Sequence, residues 1–233
     1  MRTELLLGKQ GLQNLQNSCV MIIGVGAVGG YALEAVARAG VGHIILVDFD
    51  TFDETNINRQ ILALSSTIGR KKIEVAKERV LDINPQCYVE TKDMFVDSSN
   101  IASLLDIKVD MVIDAIDSLD SKSQLLEELY KHQIPFISSM GAALRTDATK
   151  IKISTLDKTH NCGLAKSLRQ RLRRNNIDIK KIKCVYSEEV TSSSGILDNQ
   201  NPNERRILGS LPTITAIFGL VIANEVIKEI TKQ

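Results

Sequence analysis

The residues from Cys19 to Gly40 constrain the fold more than any others in the chain. An apolar run, CVMIIG, breaks into VGAVGG and resumes as the helix-like stretch YALEAVARAG. Gly24, Gly26 and Gly29 stand at the junction in the order G-x-G-x-x-G. A strand that turns at once into a helix over a phosphate needs this order. The first glycine makes the turn, the second lets backbone approach the phosphate, and the third lets helix lie close on strand. The helix start offers unpaired N–H groups and the positive end of its dipole to an anion. A nucleotide phosphate is the expected occupant, and a turn required only for packing is the alternative. The loop by itself does not choose the nucleotide.

The rest of the first 140 residues repeats the unit. HIILVD, CYVETK, DMVIDAI and PFISS read as strands; GRKKIEVAKERVLDIN, SSNIASLL and SKSQLLEELYKHQ read as helices, the first stopped by Asn84-Pro85. Alternation of this kind predicts an α/β fold with a Rossmann-like doubly wound, mostly parallel sheet. From about residue 141 the pattern changes. TKIKISTL and KCVYSEEV read as strands and LAKSLRQRLRRNN as a basic helix, while TSSSGILDNQNPNERR reads as a flexible loop and LPTITAIFGLVIANEVIKEI as a buried terminal helix. Residues 1–140 are therefore expected to form the nucleotide-binding domain. Residues 141–233 are expected to extend the same sheet by C-terminal strands and helices.

Composition removes several functional classes. The formal net charge of the 233 residues is +1, so any nucleic-acid surface must be local. Tryptophan is absent and aromatic residues are 4%, which argues against stacking platforms for single strands. Cys19, Cys87, Cys162 and Cys184 form no CxxC pair, so no structural zinc is expected and reduced thiols in a cytoplasmic protein are. The apolar stretch near the C-terminus is interrupted by Asn224 and Glu225, short of the roughly 20 residues of a membrane span, so no integral membrane segment is expected.

The candidate site residues follow the strands. Asp48 ends the second strand near the spacing at which an acid meets a ribose. TFDETNINRQ then supplies Asn56, Asn58, Arg59 and Gln60, more polar side chains than a turn or cap requires, so the stretch is expected to face a ligand. Arg59 can fork two phosphate oxygens. Arg70, Lys71 and Lys72 stand where a helix is expected to begin, although cations there oppose its dipole. Either they are solvated or one reaches inward to an anion. Asp114 and Asp117, at the end of the fourth strand, would repel phosphates unless Mg²⁺ lay between them. The alternative is that Asp117 or Ser118 caps the next helix. Together these residues favour an ATP·Mg²⁺ site over a nicotinamide one, since His43, His132 and His160 all read as element boundaries.

GVGAVGG, LVDFD, NINRQ, GRKK and VIDAIDS, in that order and spacing, are similar to the nucleotide site of the ubiquitin-activating-enzyme-like superfamily, ThiF, MoeB and HesA among them. The resemblance implies that Gly24, Gly26 and Gly29 cradle ATP and that Asp48 holds the ribose. It also implies that Asn56, Arg59 and Lys72 contact the phosphates and that Asp117 serves the metal, with Gln60 counted among the ATP-binding residues. It assigns Arg59, Lys72 and Asp117 to catalysis of attack by a carboxylate on the α-phosphate. RTELLLG, INRQILAL, LAKSLRQRLRR, CVYSEEV and GSLPTITAIFGLVIANEVIK resemble one branch in particular, the tRNA threonylcarbamoyladenosine dehydratases.

That branch implies ATP-dependent cyclisation of the modified adenosine, with tRNA as partner and a homodimer as the assembly. An N-terminal arginine that enters the partner's ATP site is implied as well, and Arg2 is the candidate. A sulfur-transfer or cysteine desulfurase partner is a further candidate. Lys166, Arg169, Arg171, Arg173 and Arg174 concentrate positive charge, which reads as a tRNA surface or as a solvated helix face. Cys184, preceded by lysines, is a nucleophile candidate or a buried structural thiol. The alternatives are an adenylyltransferase for a small sulfur-carrier protein, a NAD-dependent oxidoreductase and a non-catalytic nucleotide-binding module.

Overall fold

The computed structural model describes residues 2–191, 196–197 and 207–232. Its centre is a seven-stranded sheet of β1 (Cys19–Ile23), β2 (His43–Val47), β3 (Tyr88–Lys92), β4 (Met111–Asp114), β5 (Phe136–Ser139), β6 (Ile151–Thr155) and β7 (Lys183–Ser187). The strand order is β3-β2-β1-β4-β5-β7-β6, and every neighbouring pair is parallel except β6 with β7. All five residues of β1 and all four of β4 are buried, as expected for strands covered on both faces.

Helices cover the two faces. On one lie α2 (Gly29–Ala39), α3 (Lys72–Ile83) and α7 (Pro212–Thr231), with the end of α1 (Arg2–Asn17). On the other lie α4 (Ile101–Leu105), α5 (Leu119–Lys131) and α6 (Gly163–Arg174). α7 lies close on α2 because Gly219 lacks a side chain: a Cβ there would stand 2.4 Å from the Val28 carbonyl. Its buried Ile214, Phe218, Ile222 and Val226 meet the core, and no helix among the described residues is long and apolar enough to cross a membrane.

The structure departs from the sequence reading in three places. α1 is a helix that no expectation covered, broken at Gly8, whose φ is 74°. α3 begins at Lys72, so Arg70 and Lys71 precede it rather than filling its first turn. Within the stretch read as a flexible loop, β8 (Ile196–Leu197) pairs with β9 (Ile207–Leu208) just beyond it; the rest of that stretch lies outside the described residues, apart from Thr191.

Candidate functional site

The chain leaves β1 toward β2 on one side, whereas β4, on the other side of β1, leads away to β5. This reversal opens a crevice at the carboxyl ends of β1 and β4, where such sheets bind ligands. The glycine loop fills one wall. Gly24 has φ 89° and donates its N–H to the Val47 carbonyl at 2.9 Å. A Cβ on Gly24 would stand 2.8 Å from the Ala115 carbonyl, and one on Gly29 only 1.8 Å from the Gly24 carbonyl. Asp48 ties the loop to β2: its carboxylate accepts the Val25 N–H at 2.7 Å and the Asp50 N–H at 3.0 Å. No side chain caps the start of α2, which leaves its first N–H groups to the crevice.

TFDETNINRQ is in part the cap that the sequence reading set against a ligand-facing role. Asp53 caps a short 3-10 helix, Glu54–Asn56, with Asn56 completing a capping box, so part of the stretch is a cap after all. Asn56 is buried, and its amide is spent on Asp53 and Thr55. Asn58 donates its amide to the Ser210 carbonyl at 3.2 Å. Arg59 uses one guanidinium nitrogen on the Thr55 carbonyl at 2.6 Å and on the Asn58 amide oxygen at 2.8 Å. Gln60 is 7% exposed and stands opposite Gly26, within 4.0 Å of where a Cβ there would be. Its Oε1 is buried with no hydrogen-bond partner among the described residues. A buried acceptor facing a side-chain-free loop fits a ligand that supplies a donor.

Of the three cations after residue 69, one goes inward. Lys72 is 5% exposed, and its Nζ lies 2.6 Å from Asp50 Oδ2 and 5.9 Å from the Phe52 ring centroid. Arg70 pairs outward with Glu78 at 2.5 Å, and Lys71 with Asp93 at 3.1 Å. The backbone holds Lys72 in place through its own N–H to the Asp50 carbonyl, 3.0 Å, beside the Thr51–Lys71 bridge.

At the end of β4 the two carboxylates separate. Asp114 is fully buried and paired with the equally buried Lys122 at 2.6 Å, and it also accepts the Ser138 hydroxyl at 2.6 Å and the Ile116 N–H at 3.1 Å. It is therefore a structural anion and faces no metal, which corrects the sequence reading. Asp117 is exposed, and its carboxylate has no hydrogen-bond or ion-pair partner among the described residues; Ser118 stands at the N-cap of α5 without a side-chain capping bond. A single free carboxylate beside a phosphate site suits Mg²⁺, which takes one or two carboxylates plus phosphate oxygens. Among the described residues no group of three or more acidic, His or Cys side chains could hold a metal by itself.

The basic helix divides in a way its sequence hides. Arg169 donates to the Thr159 carbonyl at 2.8 Å and to its hydroxyl, and Arg171 is bound to Asp120 and Ser123. Both guanidinium groups are tied into the fold, which leaves less of their charge for a partner. Lys166, Arg173 and Arg174 are exposed, and their side chains have no hydrogen-bond or ion-pair partner among the described residues. Cys184 is fully buried in β7, where burial pushes its thiol up to about 12. A thiol so held stays protonated at neutral pH, which suits the structural reading and not the nucleophilic one. His43 pairs with Glu90 at 2.9 Å, and the His160 ring rests edge-on to Tyr186 at 5.5 Å.

Sequence reasoning missed Lys122, Asp50 and Ser138. Lys122 was findable, because it shares the 3–4 spacing of Leu125, Leu126 and Leu129 and so lies on the apolar stripe of its helix.

The sequence pattern of the ThiF family matches residues 1–233. A tRNA threonylcarbamoyladenosine dehydratase of Bacillus subtilis is 39% identical over 100% of this chain and 94% of its own. The crystal structure of an E. coli tRNA N6-threonylcarbamoyladenosine dehydratase in complex with ATP superposes with a TM-score of 0.90 at 34% identity, covering 98% of this chain and 92% of that one. A molybdopterin-synthase adenylyltransferase of E. coli is 32% identical over only 65% of this chain and 59% of its own.

Proposed function

The chain belongs to the ThiF family, and from that premise we propose that it is an ATP-dependent tRNA threonylcarbamoyladenosine dehydratase. One observation carries the choice of branch: likeness to the dehydratases runs through the whole chain, including α6, β7 and α7, whereas likeness to the adenylyltransferase stops at about two thirds of it. The same difference sets aside activation of a sulfur-carrier protein. A nicotinamide reading has no residue to support it, since none of the three histidines lies in the crevice.

The chemistry follows from the crevice. ATP lies with its phosphates over the Gly24–Gly29 loop and the open start of α2, its ribose toward Asp48, and the Gln60 carboxamide beside it. An oxygen of the threonyl carboxylate attacks the α-phosphorus, the bond to the β-phosphate breaks, and pyrophosphate leaves. The carbonyl carbon of the acyl-adenylate is then attacked from within the same side chain, a ring closes, and AMP departs with the carboxylate oxygen. The net change in the nucleoside is loss of one water. Arg59 and Lys72 spread the charge that gathers on phosphorus. Lys72 is held beside Asp50 at 2.6 Å and exchanges that partner for phosphate oxygen. Asp117 would hold Mg²⁺, which neutralises phosphate charge when bound.

No enzyme nucleophile enters this sequence of steps, in keeping with the buried Cys184. A homodimer draws support from Leu5 and Leu6 of α1, 88% and 84% exposed beside Arg2, an apolar pair that a second copy would cover. A tRNA substrate agrees with a cytoplasmic setting.

Incubation with ATP, Mg²⁺ and tRNA carrying threonylcarbamoyladenosine, followed by digestion and mass spectrometry, is expected to give a nucleoside lighter by one water. Its absence would sink the dehydratase reading. Arg59→Ala and Lys72→Ala are each expected to lower turnover by roughly 10²-fold or more, the scale of losing one transition-state donor. Native unfolding temperatures would separate that loss from misfolding.

A further inference from the structure

The cavity at the head of α6 lies outside the residues so far given a role in catalysis. It has a volume of about 340 Å³ and is lined by Asn161, Cys162, Gly163, Lys166, Arg169, Val190 and Thr191. We propose that this cavity receives the modified adenine base of the RNA, an assignment that rests on the dehydratase reading above.

Position is the first argument. Asn161 donates its amide to the Glu188 carbonyl at 2.8 Å, and Glu188 directly follows β7. A Cβ on Gly141, just past β5, would stand 3.5 Å from Cys162 Sγ. The cavity therefore opens at the carboxyl ends of β5 and β7, on the same edge of the sheet as the glycine loop. β7 is two strands from β4, about 10 Å at ordinary strand spacing. In the modified nucleoside, five covalent bonds separate the carboxyl carbon from the purine ring, roughly 6 Å when extended. A carboxylate placed at the α-phosphate beside β4 can thus bring the near edge of its base past β5, and the width of the purine spans the remaining distance toward β7.

The lining is the second argument. The volume falls within the roughly 300–1,000 Å³ of small-molecule sites. Asn161 spends its amide nitrogen on Glu188, and its Oδ1 is left to accept an N–H from the carbamoyl arm or the base edge. Lys166, exposed and without a side-chain partner among the described residues, stands at the rim where a flanking phosphate would pass. Arg169 is fixed on Thr159 and serves as wall. Bases read by proteins outside a duplex are splayed into such pockets.

Gly163 supplies a clean test, because a Cβ there would meet nothing within 4 Å. Because Gly163 is part of the cavity lining and its Cβ meets open space, a large side chain there is expected to narrow the cavity without a clash with the core. Gly163→Phe is expected to keep the wild-type unfolding temperature and to keep KM for ATP within two-fold. KM for anticodon stem-loop RNA bearing the modified adenosine should rise about ten-fold or more, and preference for that RNA over an unmodified stem-loop should fall by a similar factor. Lys166→Ala is expected to weaken both RNAs alike, by several-fold. A Gly163→Phe enzyme whose RNA KM and preference both stay within two-fold of wild type overturns the assignment. If Phe abolishes cooperative unfolding, Gly163→Leu takes its place with the same expected and opposing results. Failure of the wild-type enzyme to form the dehydrated nucleoside would instead remove the functional reading on which the pocket depends.

Discussion

Lys122 and Asp114 form a demanding contact, two charges with no exposure to solvent, 2.6 Å apart. Each is desolvated, and the cost is offset because Asp114 also takes the Ser138 hydroxyl and the Ile116 N–H. These bonds fix the turn that carries Asp117 and presses Ala115 against Gly24. Lys122→Met should therefore destabilise the fold by about 3–5 kcal/mol by leaving Asp114 buried and unpaired. Adding Asp114→Asn should recover part of that loss, and denaturant midpoints of the two variants would decide. Equal midpoints for Lys122→Met and wild type would contradict the account. Around this pair the legibility of single residues is uneven. Gln60 stands beside Gly26 and Lys72 turns inward to Asp50, polar groups that directly follow buried strands, whereas the Arg59 guanidinium is bound to Thr55 and Asn58. Asp114 and Asp117 look alike in VIDAID, and only burial separates the structural anion from the free one.

At the scale of elements, α7 is held to β7 by charge as well as by apolar packing. Lys183 Nζ lies 2.8 Å from Glu225 and 2.6 Å from Glu229, and Lys232 reaches Glu229 at 2.8 Å. The hydrogen bonds from Lys183 and Lys232 bring the Glu229 carboxyl down to about 2. A carboxylate lowered on folding stabilises the protein above its unfolded pKa, near 4.3, and that stability is lost as pH falls through the folded value. Glu229→Gln is thus expected to be less stable than wild type at pH 7, and the gap should close between about pH 4.5 and pH 2. An unchanged gap at pH 2 would show that packing, not charge, explains the loss. Most elements were legible because a buried parallel strand is a continuous apolar run and its helices are amphipathic. α1 was not, since Gly8 breaks its periodicity and only Gly11, Leu12 and Leu15 are buried. The start of α3 was misplaced because Arg70 and Lys71 resemble helix formers while their backbone pairs with Phe52 and Thr51 instead.

The whole molecule has a direction. The glycine loop and the cavity at the head of α6 both open at the carboxyl edge of the sheet, and α6 descends from that edge, where Lys166 sits, to Arg173 and Arg174, about 12 Å further along the helix. β7 starts at the opposite edge, and Lys180 and Lys181 precede it there, exposed. A near-neutral protein therefore carries a line of unpaired cations down one side, although Arg169 and Arg171 in the same helix are committed to the fold. Such a line fits the backbone of an RNA stem whose loop enters at the top, and it makes a claim about salt. Each phosphate contact releases counterions, so the slope of log affinity against log salt counts the contacts made. The Arg173→Ala/Arg174→Ala double variant should bind modified and unmodified tRNA more weakly by one common factor, with a slope shallower by about 2. Arg171→Ala should instead leave the slope alone and lower the unfolding temperature, because its guanidinium is spent on Asp120 and Ser123. If the double variant kept the wild-type slope, the lower cations would be a solvated face, and tRNA would be held only at the carboxyl edge.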